Sequence, residues 1–272
     1  MASKRWLALL ALALPWTGTA MAQQSMTTQD TQPDTKTITV LAAGSLREAF
    51  DALGQAYQGK SSVTPGFAYG PSGKLRDEIG HGRAADVFAS ASVEHTEALA
   101  RAGLLAGSVV FAYNDLCVVA RPQLGLNADN LLDVLARPGV RLATSTPKLD
   151  PMGDYTWQFF GKADAARPGL LEVFDTKALK LSGASVPRAG QKLPYVTAFE
   201  DDKADAYVMY CTNAASTRRA LPGLAVVRIP AALNVRSAYG IGARPGSRDG
   251  ARFVDFVLGP DGKRILAGYG FD

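Results

Sequence analysis

The chain has 272 residues, of which 47% are hydrophobic and 20% charged. At roughly 150 residues per domain this length predicts about two domains, and the proportions exclude collagenous, low-complexity and wholly disordered chains. The 29 basic and 25 acidic residues give a net charge of +4. Without Lys4 and Arg5 at the extreme N-terminus the balance is 27 against 25. The remaining basic residues are scattered rather than striped, which argues against a nucleic-acid partner.

The longest apolar run, residues 6–16, follows Lys4 and Arg5 and leads into Ala20-Met21-Ala22. It is too short to span a bilayer, and its positive start and small-residue end read as a secretory signal peptide over residues 1–22, cleaved before Gln23. No cysteine follows to be lipidated, and no later run approaches 18 apolar residues. The mature protein is therefore expected to be exported and not membrane-inserted. Residues 23–36 are rich in Gln, Thr, Asp, Ser and Pro and read as a disordered leader.

From Thr37 onward short apolar or β-branched runs alternate with stretches of helical period. Strands are expected over residues 37–43, 63–69 and 87–91, each followed by a helix, from Leu46, Gly73 and Val93. That βαβαβ order predicts a parallel sheet. In the first helix Leu46, Phe50, Leu53 and Tyr57 define one apolar face, Ser45 and Glu48 have the spacing of a capping box, and Gly59 ends it. A strand over 116–120 opens a second α/β unit. It continues with a helix at 131–135, a strand at 140–144, and helices from Asp154 and over 171–179. Then come a helix over 193–202, strands at 206–210 and 224–229, and between those strands a helix over 212–221. A strand over 235–243 and helices over 248–257 and 262–267 close the chain. Those last helices lack strands of their own and must pack on the first sheet. The expected architecture is α/β with two lobes, lobe 1 from 37–114 and 236–272 and lobe 2 from 115–235, joined by two crossing strands that act as a hinge.

Cys117 and Cys211 match no zinc or CxxC spacing. In an oxidising compartment they could form one disulfide, the alternative being two buried free thiols. The two histidines, His81 and His95, lie in polar stretches expected to face solvent, and neither is poised as a catalyst. None of the GxSxG, HExxH, P-loop or dinucleotide-binding signatures is present in its required context. What the chain offers instead is strand-to-helix turns with small hydroxyl residues. Ala43-Gly44-Ser45 ends the first strand and Gly70-Pro71-Ser72-Gly73 the second. Helix starts beyond strand carboxyl ends present free N–H groups and partial positive charge to an anion, although most such caps bind nothing. In the second lobe Asp150-Pro151-Met152-Gly153 forms a comparable turn and Tyr210 closes the following strand.

These segments resemble the periplasmic molybdate-binding proteins that serve ABC importers, across nearly all of residues 37–272. The resemblance rests on Ile38-Thr39-Val40-Leu41-Ala42-Ala43-Gly44-Ser45-Leu46, on Tyr69-Gly70-Pro71-Ser72-Gly73-Lys74-Leu75, on Ala84-Ala85-Asp86-Val87-Phe88-Ala89-Ser90-Ala91, and on Gly259-Pro260 and Tyr269-Gly270-Phe271. It implies the two-lobed type II periplasmic binding protein fold, each lobe a mostly parallel sheet flanked by helices. It further implies a monomeric periplasmic protein that works with a membrane permease and needs no cofactor. The ligand is an oxyanion, molybdate or tungstate, held without charge neutralisation and with no direct protein–metal bond. By motif, Ser45 and Ser72 are similar to the two ligand serines, the Met152 amide to one ligand amide and Tyr210 to the ligand tyrosine. Gly44, Gly73, Pro151 and Gly153 shape the turns. The second amide falls near Lys192, a departure that puts a cation at the cleft edge.

A tetrahedral dianion has acceptors only, so a dry cleft lined with donors suits it. Fixed donors also discriminate by radius, because a smaller ion such as sulfate cannot reach them all. Two alternatives stay open. One is the same scaffold serving sulfate, phosphate, an organic anion or a ferric complex. The other is a secreted hydrolase using Asp154, Tyr155 and Lys192 as acid and base groups.

Overall fold

The structure is a computed structural model that describes residues 36–184 and 191–272. The expected signal peptide and all but Lys36 of the expected leader lie outside the described residues. The fold opens with β1 (Lys36–Ala43), whose last four residues are buried. Such a continuous apolar run marks a parallel strand covered on both faces. It pairs in parallel with β2 (Val63–Gly70) and β3 (Val87–Ser90). Between them run α1 (Arg47–Gln58) and α2 (Ser72–Gly80), and α3 (Val93–Arg101) follows β3. The first sheet is completed by β4 (Val109–Asn114) and β10 (Ser237–Ala243), in the order β2-β1-β3-β10-β4, with β10 antiparallel to both neighbours.

The second sheet uses β5 (Leu116–Ala120), β6 (Leu142–Ser145), β7 (Leu179–Ser182), β8 (Ala206–Tyr210) and β9 (Ala225–Arg228), ordered β7-β6-β8-β5-β9. Here β6 is parallel to β7 and β8, and β5 is antiparallel to β8 and β9. Its helices are α4 (Leu131–Ala136), α5 (Pro151–Ala166), α6 (Leu170–Lys177), α7 (Pro194–Glu200) and α8 (Cys211–Ala220). The result is two lobes, each a mostly parallel sheet flanked by helices, as expected, with one strand in each, β10 and β5, running against the others. The chain passes between the sheets at Asp115 and again over residues 229–236. The closing helices α9 (Arg248–Leu258) and α10 (Pro260–Gly268) lie on the first sheet's side. There Phe253 of α9 meets Phe50 and Tyr57 of α1 edge-on, at centroid distances of 6.3 and 5.2 Å.

Several local expectations are corrected. Strand β4 has no counterpart in the sequence reading. It lies at a sheet edge and pairs only with β10, so its exposed Val109, Val110 and Tyr113 show no clean alternation. The expected helix over 171–179 stops at Lys177, and Leu179 begins the edge strand β7. The Ser45/Glu48 capping box does not form. A 3-10 turn at Gly44–Leu46 precedes α1, Leu46 takes the N-cap, and the Glu48 carboxylate pairs with Arg219 of α8. His95 is buried on α3 rather than facing solvent, and burial lowers its pKa to about 4.

Cys117 of β5 and Cys211 at the start of α8 form a disulfide across a separation of 94 residues. Closing so long a loop restricts the unfolded chain, by up to about 4–5 kcal/mol in the chain-entropy treatment and about 2–4 kcal/mol typically. The Cys117→Ser/Cys211→Ser variant is expected to melt well below the wild type in a calorimetric scan, and thiol titration of the denatured, unreduced wild type should find no free thiol.

Candidate functional site

A cavity of about 70 Å³ lies where the two lobes meet. That exceeds several-fold the roughly 10–15 Å³ that admits one water, so a small ion fits. Its wall comes from the carboxyl ends of parallel strands in both sheets and the turns beyond them. The first lobe contributes Gly44, Ser45 and Arg47 after β1, Tyr69 to Ser72 at the end of β2, and Ala91 after β3. The second contributes Asp150 and Met152 after β6, Ser182 and Gly183 at the end of β7, and Tyr210 and Asn213 at the β8–α8 junction. This is the position at which open α/β sheets present helix N-termini to ligands.

Each first-lobe serine has its oxygen engaged so that its proton is left over. Ser72 is 1% exposed, and its Oγ accepts the Ala91 N–H at 3.0 Å. The hydroxyl proton is then available to an acceptor in the cavity. Ser45 Oγ lies 2.9 Å from the Tyr239 hydroxyl, which in turn accepts from Asn114 Nδ2 at 3.3 Å. With Asn114 donating into it, the phenol is able to donate its own proton to Ser45, an arrangement that leaves the Ser45 proton for an acceptor in the cavity. Chains of this kind polarise one another in a low-dielectric setting.

The α2 start also holds the lobes together. The Gly73 and Lys74 amides donate to the Leu149 carbonyl of the other lobe, at 3.0 and 3.3 Å. A Cβ on Gly73 would lie 2.5 Å from the Lys148 carbonyl oxygen and 2.9 Å from that of Leu149. Glycine is therefore required for this approach. On the facing loop Lys148 has a left-handed backbone, φ 68°, and donates its amide to Asp154 Oδ1 at 2.8 Å, which aims the Leu149 carbonyl at α2.

In the second lobe α5 begins at Pro151, three residues before the expected Asp154, with proline at the first helical position, where its missing N–H is harmless. The Met152 amide donates to Asp150 Oδ1 at 3.2 Å, and Met152 lines the cavity. Gly153 serves packing, because a Cβ there would lie 2.6 Å from the Pro147 nitrogen. Tyr210 is 1% exposed, and its hydroxyl makes no hydrogen bond of normal geometry within the described residues. The nearest phenol is that of Tyr239, with its ring centroid 5.6 Å away, which acts on the Tyr210 hydroxyl by its charge distribution and as a weak, poorly aligned hydrogen-bond neighbour. An unmade hydrogen bond on a buried group costs about 1–3 kcal/mol, which an acceptor in the cavity would restore. Burial holds the Tyr210 and Tyr239 phenols well above their ordinary pKa, so both stay protonated donors.

Lys192 does not belong to this wall. Its exposed ammonium pairs with Glu200 at 2.7 and 2.9 Å, and Leu193, Pro194 and Tyr195 line the cavity instead. A long charged stem gains more at the surface beside a carboxylate than in a dry cleft. Asp154 and Tyr155, two candidate acid and base groups, do not line it either. Asp154 is spent on the Lys148 amide, and Tyr155 stands edge-on to Tyr210 at 6.4 Å.

Two wall residues, and one that supports the wall from behind, went unrecognised in the sequence. Arg47 places its guanidinium 4.4 Å from the centroid of the Tyr69 ring, so the cavity contains a cation after all. Asp150 brings a carboxylate, which burial raises to about pKa 6. Tyr239 comes from β10, far along the chain, where no local signal reveals its bond to Ser45. Arg47 and Asp150 flank the recognised turns, and only the reading of those turns as donor-only set them aside. Among the described residues no group of three or more His, Cys, Asp or Glu is placed to hold a metal ion.

Comparison with known proteins agrees with this geometry. Residues 38–272 match the family model described as bacterial extracellular solute-binding protein. The chain is 31% identical over 241 residues to the molybdate-binding protein ModA of Mycobacterium bovis, covering 87% of this chain and 84% of that one. It superposes on the periplasmic molybdate-binding protein of Azotobacter vinelandii with a TM-score of 0.71 at 18% identity, covering 86% of this chain and 98% of the other. It also superposes on the sulfate-binding protein SubI of Mycobacterium tuberculosis, with a TM-score of 0.70 at 18% identity and coverage of 87% and 86%. With two lobes meeting over a donor-lined cavity and a family match that spans both of them, the chain belongs to the bacterial extracellular solute-binding proteins.

Proposed function

We propose that this chain is exported to the periplasm by a cleaved signal peptide, captures molybdate or tungstate between its lobes and delivers it to an ABC permease. It carries out no chemical conversion of its ligand. The observation that carries this reading is the Tyr210 hydroxyl, buried and without a hydrogen bond of normal geometry among the described residues, in the wall that Ser45 and Ser72 also line. Donors fixed on both lobes suit an ion that only accepts, and closing the lobes around it excludes water. The relatives that carry a molybdate-binding name support the same ligand. A smaller oxyanion leaves some donors unmade, at about 1.5–3 kcal/mol for each bond to a charged group. The hydrolase reading loses support because Lys192, Asp154 and Tyr155 do not line the cavity.

A second reading has one observation in its favour. Ser45 and Arg47 also line an adjoining cavity of about 200 Å³, bounded by Asn213, Ser216 and Tyr269, which could take the organic part of a phosphorylated or carboxylate ligand. A panel of molybdate, tungstate, sulfate, phosphate and small phosphorylated acids in calorimetric titration separates the two. Molybdate or tungstate at 100 times its Kd is expected to add about 2.7 kcal/mol to folded-state stability, a rise of about 5–10 °C in Tm. No shift and no heat with either ion would end the first reading.

Two substitutions probe the geometry. Gly73→Ala forces a methyl against the Lys148 and Leu149 carbonyls, and overpacking of this kind costs about 1–3 kcal/mol. Ligand affinity should fall at least about five-fold while the unliganded Tm stays nearly constant, since the lobes can part to relieve the clash. Tyr239→Phe removes the phenol that sets the Ser45 proton, and titration should read an affinity about ten-fold weaker, near the value of one hydrogen bond.

A further inference from the structure

Among the described residues Asp150 is the one carboxylate in the cavity wall. It is held on two sides. Its Oδ1 receives the Met152 amide at 3.2 Å, and the Gly183 backbone approaches so closely that a Cβ there would lie 2.7 Å from the Asp150 Cβ. Asp150 is half-buried and lines the cavity. The carboxylate therefore has little freedom to withdraw when the cavity fills. An ionised carboxylate and an oxyanion both carry only acceptors and the same sign of charge. Set side by side in a confined space they cannot both remain ionised without a large penalty.

We propose that the site takes up one proton from solvent together with its oxyanion, and that the proton resides on Asp150. Protonation turns this acceptor-only side chain of the wall into a donor, because the neutral carboxyl presents an O–H to a ligand oxygen. Release reverses both steps, the proton leaving with the anion. This inference rests on the reading of the cavity as an oxyanion site.

The surroundings agree. Among the described residues, Asp154 on α5 repels negative charge on Asp150. Tyr207 and Tyr210 on β8, Tyr195 on α7 and Tyr239 on β10 feel its charge, and burial raises the pKa of all four, so they remain neutral. Tyr155, also on α5, is raised to about 12. Ser145 on β6 and Ser182 at the end of β7 do not ionise in this range. Arg47 is the cation of the wall and favours an anion in the cavity wherever that charge sits. Burial raises Asp150 to about 6 before any anion arrives, while the Met152 N–H and the Ser145 hydroxyl pull the other way. A bound dianion raises it further, so near neutral pH binding and protonation are coupled, each strengthening the other by the same factor.

The test is calorimetric titration of the full mature chain with sodium molybdate and sodium tungstate between about pH 6 and about pH 8.5, where both ions are fully deprotonated. It is run in two buffers of different ionisation enthalpy, alongside Asp150→Asn, which keeps a capping oxygen for Met152. The expected result is an affinity that weakens towards about ten-fold per pH unit above the unliganded pKa, with close to one proton taken up per ion. In Asp150→Asn affinity should be independent of pH, with no proton uptake. Wild-type binding with no pH dependence, or a slope that survives in Asp150→Asn, overturns the proposal. A ligand-free measurement keeps this distinct from the choice of ion. A carboxyl with a raised folded-state pKa favours the folded state at low pH, and that contribution disappears as pH rises through about 6. Unliganded Asp150→Asn should therefore gain stability relative to wild type between about pH 4 and about pH 7. A flat difference overturns the proton linkage, whereas absence of binding by either ion at any pH, with the stability difference intact, overturns the oxyanion reading instead.

Discussion

The two amides that open α2 reach the Leu149 carbonyl across the cleft, and they can do so only because residue 73 carries no Cβ. Backbone contact at this range puts Ser72 and Asp150, from different lobes, in the wall of one small cavity. A side chain at position 73 would hold the walls apart, and the donors would then face water rather than one another's ligand. Lys148 in its left-handed conformation and Asp154 on its amide form the matching half of the contact, so residues outside the cavity determine how closely its walls approach.

The charge pattern inside follows from that closeness. Arg47 stacks on Tyr69, whose own hydroxyl donates to Asp51 at 2.6 Å, and so the guanidinium is held in place without a carboxylate against it. Asp150 caps α5, a role in which a carboxylate at a helix N-terminus is ordinarily stabilised. Burial works against that stabilisation and prevails in direction. A cation, a carboxyl and several neutral hydroxyls thus share one confined space, where each interaction counts for more than it would in bulk water. The disulfide between Cys117 and Cys211 sits beside Tyr210, tying the strand that follows the first interlobe crossing to the helix whose N-cap is that tyrosine. The covalent link thereby braces the second-lobe wall at Tyr210.

Much of this was legible in the residues. The alternation of β-branched runs with helical period locates most strands and helices, since burial against a sheet and burial on one helix face leave different periods. The turns at Ser45, Ser72 and Tyr210 could be singled out because small hydroxyl residues after a strand mark the carboxyl end of a parallel sheet. Edge elements were harder to see. Strands β4 and β7 are half-exposed and paired on one side, so their composition carries neither a continuous apolar run nor a strict alternation. His95 was misplaced because the apolar face of α3 is narrow and its burial depends on what packs above it.

By itself the sequence determined the α/β class, the two-lobed order of elements and the membership of a binding-protein family, all of which rest on local periodicity and short contiguous motifs. Only the tertiary structure decided which groups face the ligand. The Ser45 hydroxyl is directed by Tyr239, 194 residues away, and not by the Glu48 that neighbouring spacing suggested. The Met152 amide is taken by Asp150, and Lys192 turns outward to Glu200. Each outcome is a competition between partners for one donor or one charge. Local spacing names the competitors, but the winner depends on distances that exist only once the two sheets have closed on each other.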